Sequence, residues 1–210
     1  PEAAVALLPG YVEPGSRVLV IGGPGIDTAL TAAGYVPVRA LGDDPHAVMQ
    51  GYSPDVSWRD LAEATYAVRA GLPWIATNPD LSFPTPRGVA PGNGALVQVV
   101  AQTAGRQPDA VAGKPEPPLL REAIRRTGSA RPLMIGDRLD TDILAGTRVG
   151  VTTLLVFTGV TDMRELIGAQ PPLRPTYLGA DLRVLMEPYP HVRCDAARLH
   201  ASAGDSWAGV

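Results

Sequence analysis

The chain is poor in lysine, cysteine, phenylalanine and long apolar runs, and each scarcity excludes something. Of 18 basic side chains in 210 residues only one is a lysine, Lys114. Basic residues number 18 against 21 acidic ones, a net charge of −3, so no cationic excess draws the chain to a phosphate backbone and a nucleic-acid partner is not expected. The single cysteine, Cys194, cannot close an internal disulfide, and a reducing cytoplasm is the expected location. Apolar runs such as Val18 to Ile21 and Leu154 to Phe157 are strand-sized, far below the ~20 residues of a membrane helix. No charged-then-apolar leader opens the chain, and no membrane partner is expected. The segments Gly-x-Ser-x-Gly and Gly-x-x-x-x-Gly-Lys are both missing, which argues against a serine hydrolase and a P-loop NTPase.

What is present is an alternation of strand and helix signals. A content of 45% hydrophobic residues can supply a real core, and 23 glycines with 22 prolines, dispersed rather than periodic, suit many short elements joined by turns. Strands are expected at 17–21, 46–50, 73–76, 110–112, 132–135, 152–157 and 176–179. Helices are expected from Gly25 to Ala33, from Ser57 as N-cap through Val68, at 92–103, through Arg126 with Pro117 and Pro118 in its first turn, and from about Asp140 to Val149. The stripe Trp58, Leu61, Thr65 and Val68 is read as core packing. This grammar implies α/β architecture with parallel sheet. The expected boundaries are a helix and hinge at 1–14, an α/β unit at 15–108, a second at 109–187 and a flexible tail at 188–210.

Two carboxylates stand out. Asp137 directly follows an apolar strand and Asp142 lies five residues on, at the carboxyl end of a parallel strand, where open α/β sheets bind ligands. Oxygen donors there suit Mg²⁺, with Asp137 as ligand and Asp142 orienting it; capping of the following helix is an equally open reading. Lys114 sits between Gly113 and Pro115 at another strand-end turn, where a compact ammonium suits one phosphoryl oxygen or carboxylate.

Gly113-Lys114-Pro115, then a helix, then a strand ending Gly136-Asp137-Arg138-Leu139-Asp140-Thr141-Asp142-Ile143 together resemble the third and fourth motifs of the haloacid-dehalogenase-like (HAD) phosphatases. Ala76-Thr77-Asn78-Pro79-Asp80, Pro84 to Gly88 and Pro91 to Ala95 resemble the large α/β cap of the NagD-like, p-nitrophenyl phosphate and glycerol-phosphate phosphatase subgroup, and the likeness covers about residues 1–187. It implies a partial doubly wound core, its C-terminal half, plus an inserted α/β cap. It also implies Mg²⁺-dependent hydrolysis of a small phosphorylated metabolite through an aspartyl-phosphate, with Lys114 holding the phosphoryl group, Asp137 and Asp142 serving the metal, and Asn78 and Asp80 facing substrate. A turn-forming role for Asn78 and Asp80 stands beside that reading. The family's nucleophile motif, Asp-x-Asp on a strand ahead of the cap, is absent from these residues; Asp140 to Asp142 already belongs to the fourth motif. The 210 residues are therefore expected to be a fragment, inactive alone, with an exposed sheet edge that favours a homo-oligomer. The other class of function is a non-catalytic relative that binds phosphorylated metabolites or a protein surface.

Two further patterns carry less. Gly23-x-Gly25 with Asp43 and Asp44 downstream suggests dinucleotide binding, but Thr28 replaces the third glycine and Pro24 removes a backbone donor. His191, Cys194 and His200 lack a fourth ligand and read as chance neighbours.

Overall fold

The computed structural model describes residues 1–186, 191–194, 199–203 and 206–209, and the chain divides into two compact units, Pro1–Pro132 and Leu133–Val210. In the first, helix α1 (Glu2–Val5) precedes β1 (Arg17–Ile21), α2 (Pro24–Ala32), β2 (Val36–Val38), β3 (Ala47–Gln50), α3 (Trp58–Arg69) and β4 (Trp74–Ala76). A hairpin of β5 (Ser82–Thr85) and β6 (Gly88–Pro91) follows, then α4 (Asn93–Ala104), β7 (Ala110–Val111) and α5 (Pro118–Thr127).

Five of these strands form one parallel sheet in the order β2-β1-β3-β4-β7. Burial on both faces explains why β1 and β3 read as unbroken apolar runs. Val18, Val20, Met49 and Ile75 pack with α1 and α2 residues such as Val5, Leu8, Ile26 and Leu30. Leu19, Ile21, Val48 and Trp74 pack with Ala64, Ala67 and Val68 of α3 and with Val97 and Val100 of α4. Helix α3 starts as expected: Ser57 Oγ accepts from the Asp60 amide (3.3 Å), and the Asp60 carboxylate accepts from the Ser57 amide (2.7 Å), a capping box. The expected core stripe is corrected at its first residue. Trp58 is 80% exposed, because packing onto the sheet begins a turn later, at Leu61.

The second unit holds β8 (Leu133–Gly136), a π-helical turn at Leu139–Ile143, α6 (Leu144–Val149), β9 (Thr152–Val156), α7 (Met163–Ile167) and β10 (Tyr177–Gly179). Its parallel sheet runs β10-β9-β8, with β8 at one edge. Leu139, Ile143 and Leu155 form its core with Ala169.

Three expectations differ from what is found. The unit boundary expected at 108/109 falls at 132/133, since β7 pairs with β4 through Ile75 opposite Ala110 and Ala76 opposite Val111. The helix expected from Asp140 begins instead as a π turn, in which the amides of Asp142 and Ile143 both donate to the Arg138 carbonyl at 3.1 Å. In the segment expected to be a flexible tail, β11 (His191–Cys194), β12 (Leu199–Ala203) and β13 (Ser206–Gly209) pair antiparallel. The side chains of His191, Cys194 and His200 lie outside the described part of the structure.

Candidate active site

In the second unit the two predicted acids come together, with different duties. Asp142 is 3% exposed, and its Oδ2 accepts from the amides of Asp137 and Arg138, each at 3.2 Å. The wide turn at 139–143 brings that carboxylate back beneath the end of β8, so Asp142 fixes the loop that carries Asp137. Asp137 in turn accepts at Oδ2 from the Val160 amide (2.9 Å), while its carbonyl accepts from the Thr161 amide (3.0 Å). The Thr161 hydroxyl, itself buried, accepts from the Leu139 amide (3.3 Å) and closes the clasp between the two loops.

Two glycines make room for this arrangement. A Cβ on Gly136 would overlap the Asp142 carboxylate, and one on Gly159 would overlap that of Asp137. Gly159 and Thr161 are the functional residues that motif reading undervalues: their partners lie 22 residues upstream, and no local periodicity marks them. Beside Asp137, Arg138 forks onto Asp140 through Nε to Oδ1 (3.0 Å) and Nη2 to Oδ2 (2.7 Å). Those bonds, ahead of the charge itself, hold the Asp140 carboxyl below the usual carboxylate range and raise the Arg138 guanidinium.

In the first unit the remaining candidates gather at the carboxyl ends of the parallel strands. The loops after β1, β3, β4 and β7 nest against one another through small residues. A Cβ on Gly51 would stand 2.9 Å from the Thr77 hydroxyl, and one on Gly113 would stand 2.7 Å from Asn78 Cβ. The turn bearing Lys114 therefore lies against Asn78. A cavity of about 220 Å³ opens here, lined by Gly23, Gly51, Tyr52, Thr77 and Asn78 among others. It sits where the chain winds outward in both directions from β1 and β3, the expected ligand crevice of such a sheet.

Asn78 also makes a turn: its Oδ1 accepts from the Asp80 amide (3.2 Å), and its carbonyl accepts from the buried Asn93 side chain (2.9 Å). Asp80 is exposed, and its carbonyl accepts from the Gly94 amide at the start of α4 (2.8 Å). The turn-forming reading thus has direct support for both residues, and Asn78 additionally walls the cavity. A larger concavity, about 930 Å³ between α1, α2 and α5, has mainly apolar walls with Glu122, Arg125 and Arg126 at its rim, and none of the predicted site residues lines it. Lys114 belongs to the first unit and Asp137 to the second, and their convergence is part of the proposal below.

The family profile described as HAD-hydrolase-like matches residues 111–185, which include Lys114, Asp137 and Asp142. The p-nitrophenyl phosphatase structure from Archaeoglobus fulgidus matches with a TM-score of 0.75 and 30% identity, covering 88% of this chain and 71% of that one. The chain belongs to the HAD-like hydrolases. Within that family it is 45% identical over 184 residues to D-glycerol 3-phosphate phosphatase of Mycobacterium tuberculosis, covering 88% of this chain and 52% of the relative. The crystal structure of glycerol phosphate phosphatase from the same organism in complex with magnesium matches with a TM-score of 0.84 and 40% identity, over 98% of this chain and 65% of that one. This HAD-like chain thus spans about half the length of that curated relative. Among its described residues no helix is long and apolar enough to cross a membrane.

Proposed function

We infer that this HAD-like chain carries the cap and the C-terminal half of the core of a Mg²⁺-dependent phosphomonoester hydrolase acting on a small phosphorylated polyol or sugar. The observation that carries this reading is the anchored acid loop: Asp142 buried on the amides of Asp137 and Arg138, with Asp137 held at one oxygen by Val160. That bond engages Oδ2 and leaves Oδ1 to other partners. Hard oxygen donors at a strand end fit Mg²⁺, which commonly takes one or two carboxylates and fills its remaining positions with water and phosphate oxygens.

In this reading the metal, when bound, neutralises charge on the phosphoryl oxygens. Asp137 holds it and Asp142 keeps Asp137 in place. Lys114 lays a point charge on the phosphoryl group and on the attacking carboxylate, which suits a transfer that depends mainly on positioning and charge neutralisation. The cavity beside Asn78 accepts the rest of the substrate, and its small volume favours small leaving groups. The nucleophile is an aspartate of an Asp-x-Asp strand, which none of the 210 residues supplies ahead of the cap. The outer edge of β8 suits pairing with such a strand: β8 pairs only with β9 among the described residues, and Leu133 on it is 39% exposed. The 210 residues alone are accordingly inactive, and the same edge promotes self-association.

A chimera tests this directly, joining the amino-terminal segment of the M. tuberculosis relative to this chain. It is expected to release phosphate from glycerol 3-phosphate with Mg²⁺ and to lose that activity on Lys114→Ala or Asp137→Asn. A folded chimera with no phosphatase activity contradicts the function, and turnover by the 210 residues alone at ordinary enzymatic rates contradicts the division of labour.

A further inference from the structure

Three aspartates crowd the loop after β8, and the structure gives each a different fate. Asp142 is buried on backbone amides, and Asp140 is gripped by the Arg138 fork. Only Asp137 is positioned as a ligand. As a consequence, among the described residues no group of three His, Cys, Asp or Glu side chains is placed to hold a metal, although Asp137, Asp140 and Asp142 are close in sequence. The Arg138 guanidinium also lies within electrostatic range of Asp137 and Asp142.

Stability does not account for the Arg138–Asp140 pair. Its side chains are 45% and 59% exposed, and ion pairs so open to solvent contribute little to folding. Their position beside the cation-binding carboxylate does suggest a role. Resting on the functional reading above, we propose that Arg138 and Asp140 set the charge of the cation-binding loop. Arg138 cancels Asp140 and tempers the field at Asp137, so that the loop offers the divalent ion one carboxylate and leaves it coordination positions for phosphate oxygens. Arg138 is thus a positioning residue that acts through charge. Without it, Asp140 turns the loop into a more negative, tighter and less selective cation trap of the kind that suits Ca²⁺, whose sites use several carboxylates.

The test is a Mn²⁺ titration of the 210-residue protein, read as paramagnetic broadening of the backbone amide resonances of residues 137–143. Arg138→Gln is expected to tighten Mn²⁺ binding by roughly tenfold at low ionic strength, and Asp140→Asn to weaken it by a similar factor, both effects shrinking with salt. The double variant restores the loop's charge and is expected to return to within about twofold of wild type if the two residues act as a pair. A gain of affinity cannot arise from unfolding, so a damaged fold does not mimic the expected result. Unchanged or weaker binding by Arg138→Gln overturns the inference, as does a double variant that keeps the full gain. Asp137→Asn separates the two levels of argument: if it abolishes Mn²⁺ binding while Arg138→Gln changes nothing, this inference alone falls. Mn²⁺ binding that is absent, or indifferent to Asp137→Asn, overturns the functional reading itself.

Discussion

Replacing Asp142 with alanine removes a buried carboxylate that accepts from the amides of Asp137 and Arg138 at 3.2 Å each. A hydrogen bond to a charged group contributes about 1.5–3 kcal/mol, and each amide left buried without a partner adds a cost of its own. The two bonds together therefore set a loss of about 3–5 kcal/mol for Asp142→Ala. Asparagine keeps an acceptor oxygen but not the charge, and Asp142→Asn is expected to cost about half as much. The loss is local to the second unit, so native-state hydrogen exchange is the appropriate assay and a single global unfolding curve is not. Protection of the Asp137 and Arg138 amides is expected to fall by at least a hundredfold, roughly the equivalent of 3 kcal/mol, while amides of β1 and β3 keep theirs. Wild-type protection at both amides in Asp142→Ala would refute the claim that Asp142 anchors the loop.

Gly159→Ala drives a methyl group into the Asp137 carboxylate, and Mn²⁺ binding at that loop is expected to weaken at least tenfold with exchange in the first unit unchanged; an unaltered affinity speaks against a fixed Asp137. Ser57→Ala removes the capping box of α3 and is expected to cost about 1 kcal/mol, seen as faster exchange of the Asp60 amide. Glu122 bonds to both Arg125 and Arg126, which hold its carboxyl down to about 2 from an ordinary 4.5. Because the folded value is the lower one, the stability it contributes is complete above pH 4.5 and disappears as the pH falls towards 2. A side-chain NMR titration of Glu122 checks this, and a midpoint near 4.5 would show that the pair does not persist in solution.

How much of this was legible in the sequence depends on whether a residue's role is local. Strands β1, β3 and β9 are legible because burial on both faces demands uninterrupted apolar residues, and Ser57 with Asp60 announces α3. No strand is expected at Val36–Val38 or in the β5–β6 hairpin. These are short, contain Pro37, Pro84 and Pro91, and owe their extended form to neighbours rather than to alternation. The unit boundary is hidden for a similar reason: the pairing of β7 with β4 is made some thirty-five positions away in sequence. At the site, Lys114 is conspicuous as the only lysine, and the spacing of Asp137 and Asp142 marks them as a pair. Their division of labour is not legible, since it depends on the π turn and on the loop at 159–161, whose contacts are tertiary.

The central claim is that Lys114 and Asp137 serve one phosphoryl group, and the scarcity of lysine makes it directly measurable. In protein labelled at lysine Cε, Lys114 gives the only signal. Bound Mn²⁺ is expected to broaden that signal strongly, and Asp137→Asn to restore it. A Lys114 signal that stays sharp while the amides of residues 137–143 broaden would contradict the account.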